Sequence, residues 1–215
     1  MLSGGLDSCV LIATLAEEYE DVYPLYVRKG LVWEEAELYW ACQFMAMLES
    51  RNIHPVKEVE LPIKDVYNSH WSTTGDHTPD HRSDDREVYL PGRNLLLLAK
   101  GSIFCALNEI PAIALGPLKG NPFPDSTPQF FEKFREMASL ALSYQLAILT
   151  PLSHLSKPEV IQLGKHFPLH LSFSCISPAG VDHCGACNKC QERRQSFKLA
   201  GIDDKTFYHT LPPLD

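Results

Sequence analysis

An α/β domain built on a doubly wound parallel sheet is the fold class this sequence predicts, and three observations predict it. Segments with helical apolar spacing alternate with short β-rich apolar runs along most of the chain. A small-residue turn, Ser3-Gly4-Gly5-Leu6-Asp7-Ser8, leads directly into the first helical segment, as where a parallel sheet offers a helix N-terminus to a ligand. At 215 residues the chain can form one domain, with or without a small appendage, and bury roughly 70% of its unfolded surface. Alternation is informative because parallel neighbours need a long crossover, usually a helix, which covers a sheet face.

The elements follow in order. Leu11, Ile12, Leu15, Ala16 and Tyr19 recur at helical spacing to about residue 20, and residues 22–27 read as a strand. Residues 33–49 are helical, with Glu34, Glu35 and Glu37 near the positive end of the helix dipole, and residues 55–61 read as the next strand. Residues 64–88 are polar and long for a passive connection, so a mobile active-site loop is expected there. Helix 94–107, strand 112–115, helix 128–143 and strand 147–149 follow. Ser156 and Glu159 form a capping box opening a helix to about residue 166, and a final helix spans 191–199. This organisation predicts an α/β domain over residues 1–170 and a cysteine-bearing segment over 171–215 packed on it.

Composition narrows the function. The net charge of -8, from 19 basic and 27 acidic residues, disfavours a broad electrostatic grip on nucleic acid and favours a small-molecule substrate. No apolar run approaches the 18 or so residues of a membrane span, and no secretory leader is read, so cytoplasm is the expected location. Cys9, Cys42 and Cys105 lie in apolar helical runs and read as small core residues.

The opening turn has the chemistry of an anion cradle. Glycines allow close backbone approach, serines add hydroxyl donors, and the following helix contributes partial positive charge. The strand that normally aims such a loop is expected just before Ser3, where Met1 and Leu2 are too short to form it; the chain is read as starting inside that strand. Near the other end, Cys175, Cys184, Cys187 and Cys190 form a C-x8-C-x2-C-x2-C pattern that can close a tetrahedral thiolate site, with Gly185 easing the tight turn. Zinc fits best, an iron–sulfur cluster is the rival, and His183 could replace one thiolate. Lys189, Arg193, Arg194 and Lys198 leave open a zinc-dependent nucleic-acid module. His70, His77 and His81 are irregularly spaced in the polar stretch and read as ordinary exposed histidines.

The SGGLDS segment resembles the loop of the PP-loop ATP pyrophosphatases, which adenylate a substrate and release pyrophosphate. With YLPGRN (89–94), the Pro-Asp at 124–125, LSKPEV (155–160) and the cysteine pattern, nearly the whole chain resembles the 7-cyano-7-deazaguanine synthases of queuosine biosynthesis, the ExsB family. The resemblance implies that Leu2, Ser3, Gly4, Gly5, Leu6, Asp7, Ser8, Cys9 and Val10 make the ATP site, with Asp7 near Mg2+-bound phosphates. It implies catalytic roles for Asp7, Lys157 and Arg93 and substrate contacts for Arg93, Asn94 and Asp125. Asp125 reads equally as the cap of the following helix. Structural Zn2+ on Cys175, Cys184, Cys187 and Cys190 is implied as well.

The implied reaction joins ammonia to 7-carboxy-7-deazaguanine at the expense of ATP and then dehydrates the amide to a nitrile. A homodimer is the expected assembly. Alternatives are another PP-loop enzyme, such as an amide ligase or tRNA thiolation enzyme, and a zinc-dependent nucleic-acid-binding regulator. Two departures bear on substrate identity: residues 28–33 read RKGLVW where the family often has Gly-Gln-Arg-His, and Ser126-Thr127 stand where Cys-Arg is common.

Overall fold

Strand pairing in the computed structural model, which describes residues 1–48 and 50–214, is parallel throughout. The chain runs through α1 (Leu6–Glu18), β1 (Leu25–Arg28), α2 (Glu34–Met47), β2 (Lys57–Glu60), α3 (Lys64–Tyr67) and α4 (Trp71–Thr74). It continues through α5 (Arg93–Leu107), β3 (Ala112–Ala114), α6 (Pro128–Leu142), β4 (Ala147–Leu149), α7 (Lys157–Leu163) and α8 (Asn188–Ala200). This is an α/β protein with helices between its parallel strands.

The strands form two pairs. β1 pairs with β2, Leu25 opposite Lys57, and β3 pairs with β4, Ala112 opposite Ala147. Met1 and Leu2 lie between them: Leu2 N–H donates to Leu25 O at 2.9 Å, and the Met1 amine donates to Ala114 O at 2.7 Å. β1 and β2 are shorter than their apolar runs suggest, each starting after a proline, Pro24 and Pro55. Pro24 has no N–H to donate, so Val22 pairs with Ile53 only as an isolated bridge before β1 begins at Leu25.

Helix boundaries follow their caps. The Thr127 side chain accepts from Phe130 N–H at 3.1 Å, with Pro128 in the first turn of α6. The expected capping box of α7 is present, Ser156 N–H donating to Glu159 Oε2 at 2.7 Å. Helix α7 stops at Leu163, short of the expected residue 166, and its C-cap Gly164 packs on α1, where a Cβ would lie 2.5 Å from Val10. Helix α2 ends at Met47; the expected endpoint, Glu49, lies outside the described residues, as does Asp215.

The polar stretch 64–88, expected as a mobile active-site loop, carries short helical elements and brings Trp71, Asp85 and Val88 to the cavity described below. It folds into α3, α4 and a 3-10 turn, Asp85–Val88, with Ser72 and Thr73 buried. Trp33 stacks on Trp71 with ring centroids 5.6 Å apart, so an aromatic contact holds this segment to the start of α2.

One apolar cluster joins Leu6, Val10 and Leu11 of α1 to Val160 and Ile161 of α7 and Phe197 of α8. Each such buried side chain contributes about 1.5–3 kcal/mol of transfer free energy. The glycine turn and the N-terminus of α7 are therefore anchored to one core, which fixes their spacing.

Candidate functional site

The glycine turn leaves a helix N-terminus open. Gly5 is the N-cap of α1 and supplies no side-chain cap, so the first backbone N–H groups of the helix lack the partner a Ser or Asp cap would give. Ser8 Oγ donates to Gly5 O at 2.9 Å and accepts Ser3 N–H at 3.1 Å, closing the turn on itself. Gly4 is in the left-handed region at φ 69°, and a Cβ there would lie 2.6 Å from Glu37 O. Leu2, Cys9 and Val10 are buried, so these positions offer a ligand no exposed side chain. Burial also raises the Cys9 thiol above its ordinary range, which leaves it un-ionised.

Charged side chains converge on this turn. Lys157 Nζ, from the first turn of α7, donates to Asp7 Oδ2 at 2.7 Å across a sequence separation of 150. Burial opposes the Lys157 charge, but the Asp7 and Glu192 carboxylates outweigh it and raise the ammonium above the ordinary lysine range. Asp7 Oδ1 and Arg93 Nε are both buried without a protein partner. Both residues line one cavity of about 420 Å3 together with Ser3, Gly5 and Ser8. An orphaned carboxylate oxygen beside an open helix N-terminus is a donor set that suits a hard divalent cation and the phosphates it would carry.

Asn94 and Asp125 also line the cavity, and they hold each other. Asp125 Oδ2 accepts Asn94 N–H at 2.8 Å, while Asn94 Nδ2 donates to Asp125 O and Ser126 Oγ, both at 2.9 Å. Asp125 therefore caps α5, while α6, the helix that follows it, is capped by Thr127. This capping fixes the backbone that carries Arg93.

Beneath the turn lies a charged cluster that periodicity did not show. Glu34 and Glu37, read from the sequence as first-turn residues of the helix, are buried, and so is Lys29. Glu34 Oε2 accepts N–H bonds from Lys29 at 2.6 Å and Gly30 at 2.8 Å, and Tyr26 OH donates to Glu37 Oε2 at 2.8 Å. Burial, reinforced by nearby Arg93, lowers the Lys29 ammonium to about 8; burial raises the Glu37 carboxyl.

The cysteines meet as their spacing requires. The four Sγ atoms of Cys175, Cys184, Cys187 and Cys190 lie within 4.8 Å of one another, and Cys175 and Cys187 are 3.8 Å apart. A zinc–sulfur bond of about 2.3 Å gives a tetrahedral edge of about 3.8 Å, so the cluster fits a four-thiolate metal. Gly185, at φ 83°, admits the close approach of Thr210 O, which would lie 1.7 Å from a Cβ. His183 is a neighbour: its Nε2 accepts Ser174 N–H at 3.0 Å, and the ring packs between Phe173 and Tyr208.

The cluster is tied to the turn. Cys187 is the N-cap of α8, which starts at Asn188, earlier than the apolar pattern indicated. From α8, the buried Arg193 guanidinium donates to Ser172 Oγ at 2.9 Å, Ser174 Oγ at 3.1 Å and Leu169 O at 2.7 Å. Between those partners, Phe173 N–H donates to Gly4 O at 2.8 Å. The basic patch expected around α8 is consequently not a surface. Arg193 is buried, Arg194 Nη1 donates to Pro212 O, and Lys189 lines the cavity, leaving Lys198 exposed.

Glu192, also of α8, lines the cavity. Burial alone would raise its carboxyl, but Lys157 and Lys189 outweigh burial and hold it at about 2, against an ordinary 4.5. A depressed carboxyl contributes stability that is complete above pH 4.5 and lost as pH falls toward 2, on the order of 3 kcal/mol. Acid unfolding followed by circular dichroism should show this loss in the wild type and a flatter profile in Glu192→Gln; identical profiles would refute the assignment.

An α/β protein in which an open glycine-turn helix N-terminus, a carboxylate with one unpartnered oxygen and an unpartnered guanidinium Nε line one cavity has the elements of an anion-binding site, and the four cysteines tied to the same loop could hold a metal. The profile described as "Queuosine biosynthesis protein QueC" matches residues 1–201, and the chain belongs to that family. It is 31% identical to a "7-cyano-7-deazaguanine synthase" of Methanococcus maripaludis over 97% of each chain. It is also 33% identical to one of Acetivibrio thermocellus, over 97% of this chain and 96% of the relative. One from Methanothermobacter thermautotrophicus is 29% identical, over 97% of each chain. The chain is thus an enzyme of a queuosine-biosynthesis family, and among the described residues no helix is long and apolar enough to cross a membrane.

Proposed function

We propose that this chain converts 7-carboxy-7-deazaguanine and ammonia to 7-cyano-7-deazaguanine at the expense of ATP. The observation that carries the reading is the cavity in which Asp7, Lys157 and the open N-terminus of α1 face the unpaired Arg93. Family membership supplies the substrate class. The substrate carboxylate attacks the α-phosphorus of ATP, giving an acyl-adenylate and pyrophosphate. Ammonia adds to the acyl carbon, AMP leaves, and a proton is lost to give the amide. The amide oxygen attacks the α-phosphorus of a second ATP, pyrophosphate leaves, and loss of AMP and of both N–H protons forms the nitrile.

The residues act by holding charge. The N–H groups at the start of α1, the hydroxyls of Ser3 and Ser8, and Lys157 bind the phosphates that depart as pyrophosphate. The fixed guanidinium of Arg93 orients an anionic oxygen, either of phosphate or of the substrate carboxylate. Asn94 and Asp125 position Arg93 and offer the deazapurine edge its polar contacts. Bound at Asp7, Mg2+ would supply charge neutralisation on the phosphates. Zn2+ on Cys175, Cys184, Cys187 and Cys190 would be structural, because four thiolates leave no open position. We read the two parallel strand pairs as parts of one doubly wound sheet, with residues 1–170 as the ATP-binding unit, and the working assembly as a homodimer.

The test is direct. Protein with ATP, Mg2+, ammonia and 7-carboxy-7-deazaguanine should give the nitrile by mass spectrometry, and Arg93→Lys should lower kcat/KM by about tenfold to a hundredfold, because an ammonium cannot reproduce the planar fork. No nitrile from protein with one metal ion per chain would sink the reading. Adenylation of a different carboxylate would redirect it to another PP-loop amide ligase.

A further inference from the structure

Helix α8 brings two cavity-lining side chains, Lys189 and Glu192, to which the reading above gives no role. Lys189 Nζ donates to Glu192 Oε2 at 2.8 Å and stands 3.8 Å from Asp85 Oδ1. The other Glu192 oxygen lies 3.9 Å from Lys157 Nζ, which donates to Asp7 Oδ2 at 2.7 Å. Charges of alternating sign thus run along one wall from the 3-10 turn at Asp85 to the glycine turn.

Ordinary surface pairing does not account for this row. The side chains of Lys189 and Glu192 are only 25% and 28% exposed, whereas Lys198 on the same helix faces solvent. Lys189 also stands between Cys187 and Cys190, so the metal cluster fixes the helical turn that carries it. An ammonium has three donor hydrogens, and the bracket of Glu192 and Asp85 engages no more than two. Carboxylates that hold two lysines apart beside an open helix N-terminus keep a positive site preorganised, at low net charge, until a polyanion enters.

We propose that Lys189 is a phosphate-binding residue, a second ammonium that turns from the Glu192 and Asp85 bracket to a nucleotide phosphate oxygen beside Lys157. Phosphate is favoured over a substrate carboxylate because the row of charges ends on Asp7 at the start of α1. The inference rests on the ATP reading of the cavity. It gives the cysteine cluster a task at the site: placing a cation as well as closing a fold.

Titration calorimetry of the full chain with inorganic pyrophosphate and with MgATP tests it. Lys189→Gln should weaken pyrophosphate binding about tenfold, the range of one charge-assisted hydrogen bond, with Lys189→Arg close to wild type and Lys198→Gln unchanged. Glu192→Gln should tighten pyrophosphate binding, because both ammoniums lose their resident carboxylate; a merely structural role predicts no tightening. Wild-type affinity in a folded, metal-replete Lys189→Gln protein overturns the proposal. If that variant does not fold, unchanged or weaker binding by Glu192→Gln overturns it instead. Wild type that binds neither ligand removes the ATP reading and the proposal together, whereas wild type that binds while Lys189→Gln binds equally removes the proposal alone.

Discussion

A strong chelator is expected to abolish nucleotide binding by this chain as well as to release its metal. Structural zinc contributes apparent free energies of about 10 kcal/mol or more, comparable to the whole stability of a domain. Here the loss would not stay local. Without the metal, the turn carrying Cys187, Lys189 and Cys190 at the start of α8 loses its anchor. Arg193 then loses its alignment with Ser172, Ser174 and Leu169, and Phe173 releases Gly4 O. The measurement is metal content, thermal melting and MgATP affinity on the same sample. Metal-free protein that binds MgATP as well as the holo form would show that the cluster and the glycine turn are uncoupled.

Arg193→Met is expected to cost about 3–5 kcal/mol of stability, the range for removing one partner from a buried charged network. The guanidinium is 2% exposed and also donates to Thr206 Oγ1 from Nε at 3.1 Å and Nη2 at 2.9 Å. Methionine fills most of the volume but leaves the hydroxyls of Ser172, Ser174 and Thr206 without their guanidinium donor, while the Leu169 carbonyl keeps only the Ser172 donors. Arg193→Lys should recover little, since one ammonium cannot reach acceptors arranged around a planar fork. Urea unfolding at equilibrium is the check, and a loss below about 1 kcal/mol would show that solvent or rearrangement satisfies those groups.

What the sequence made legible was local chemistry. Ser3 to Ser8, the Ser156–Glu159 capping box and the cysteine spacing each state their geometry within a few residues, and each forms as read. Lys157 was found through a family segment; as an isolated lysine in a first turn it would have been assigned to solvent. The Asp125 contact with Asn94 spans 31 positions, and no local pattern shows that Asp125 caps the helix behind it rather than the one ahead. The burial of Lys29, Glu34 and Glu37 was not legible, because a charged side chain is buried only where a partner meets it, and here the partners are the Lys29 backbone N–H and the Tyr26 hydroxyl. Lys189 and Glu192 were hidden for a different reason. Their approach to the cavity depends on the rotation of α8, which the metal cluster sets. The short helices within 64–88 were not legible, because helices such as α3 and α4, four residues each, carry no periodicity.

The Phe173 to Gly4 hydrogen bond sets an order of assembly. The glycine turn is made long before its backbone partner, which lies 169 positions further along the chain beside a cluster that needs four separate cysteines before it can take a metal. Such non-local closure is slow relative to helix formation. During synthesis α1 therefore waits with its N-terminus unsupported. A nascent chain that stops before Cys190 would hold the whole glycine turn without the complete cluster that ties Phe173 to it, so closure of the proposed site would wait on the fourth cysteine and its metal.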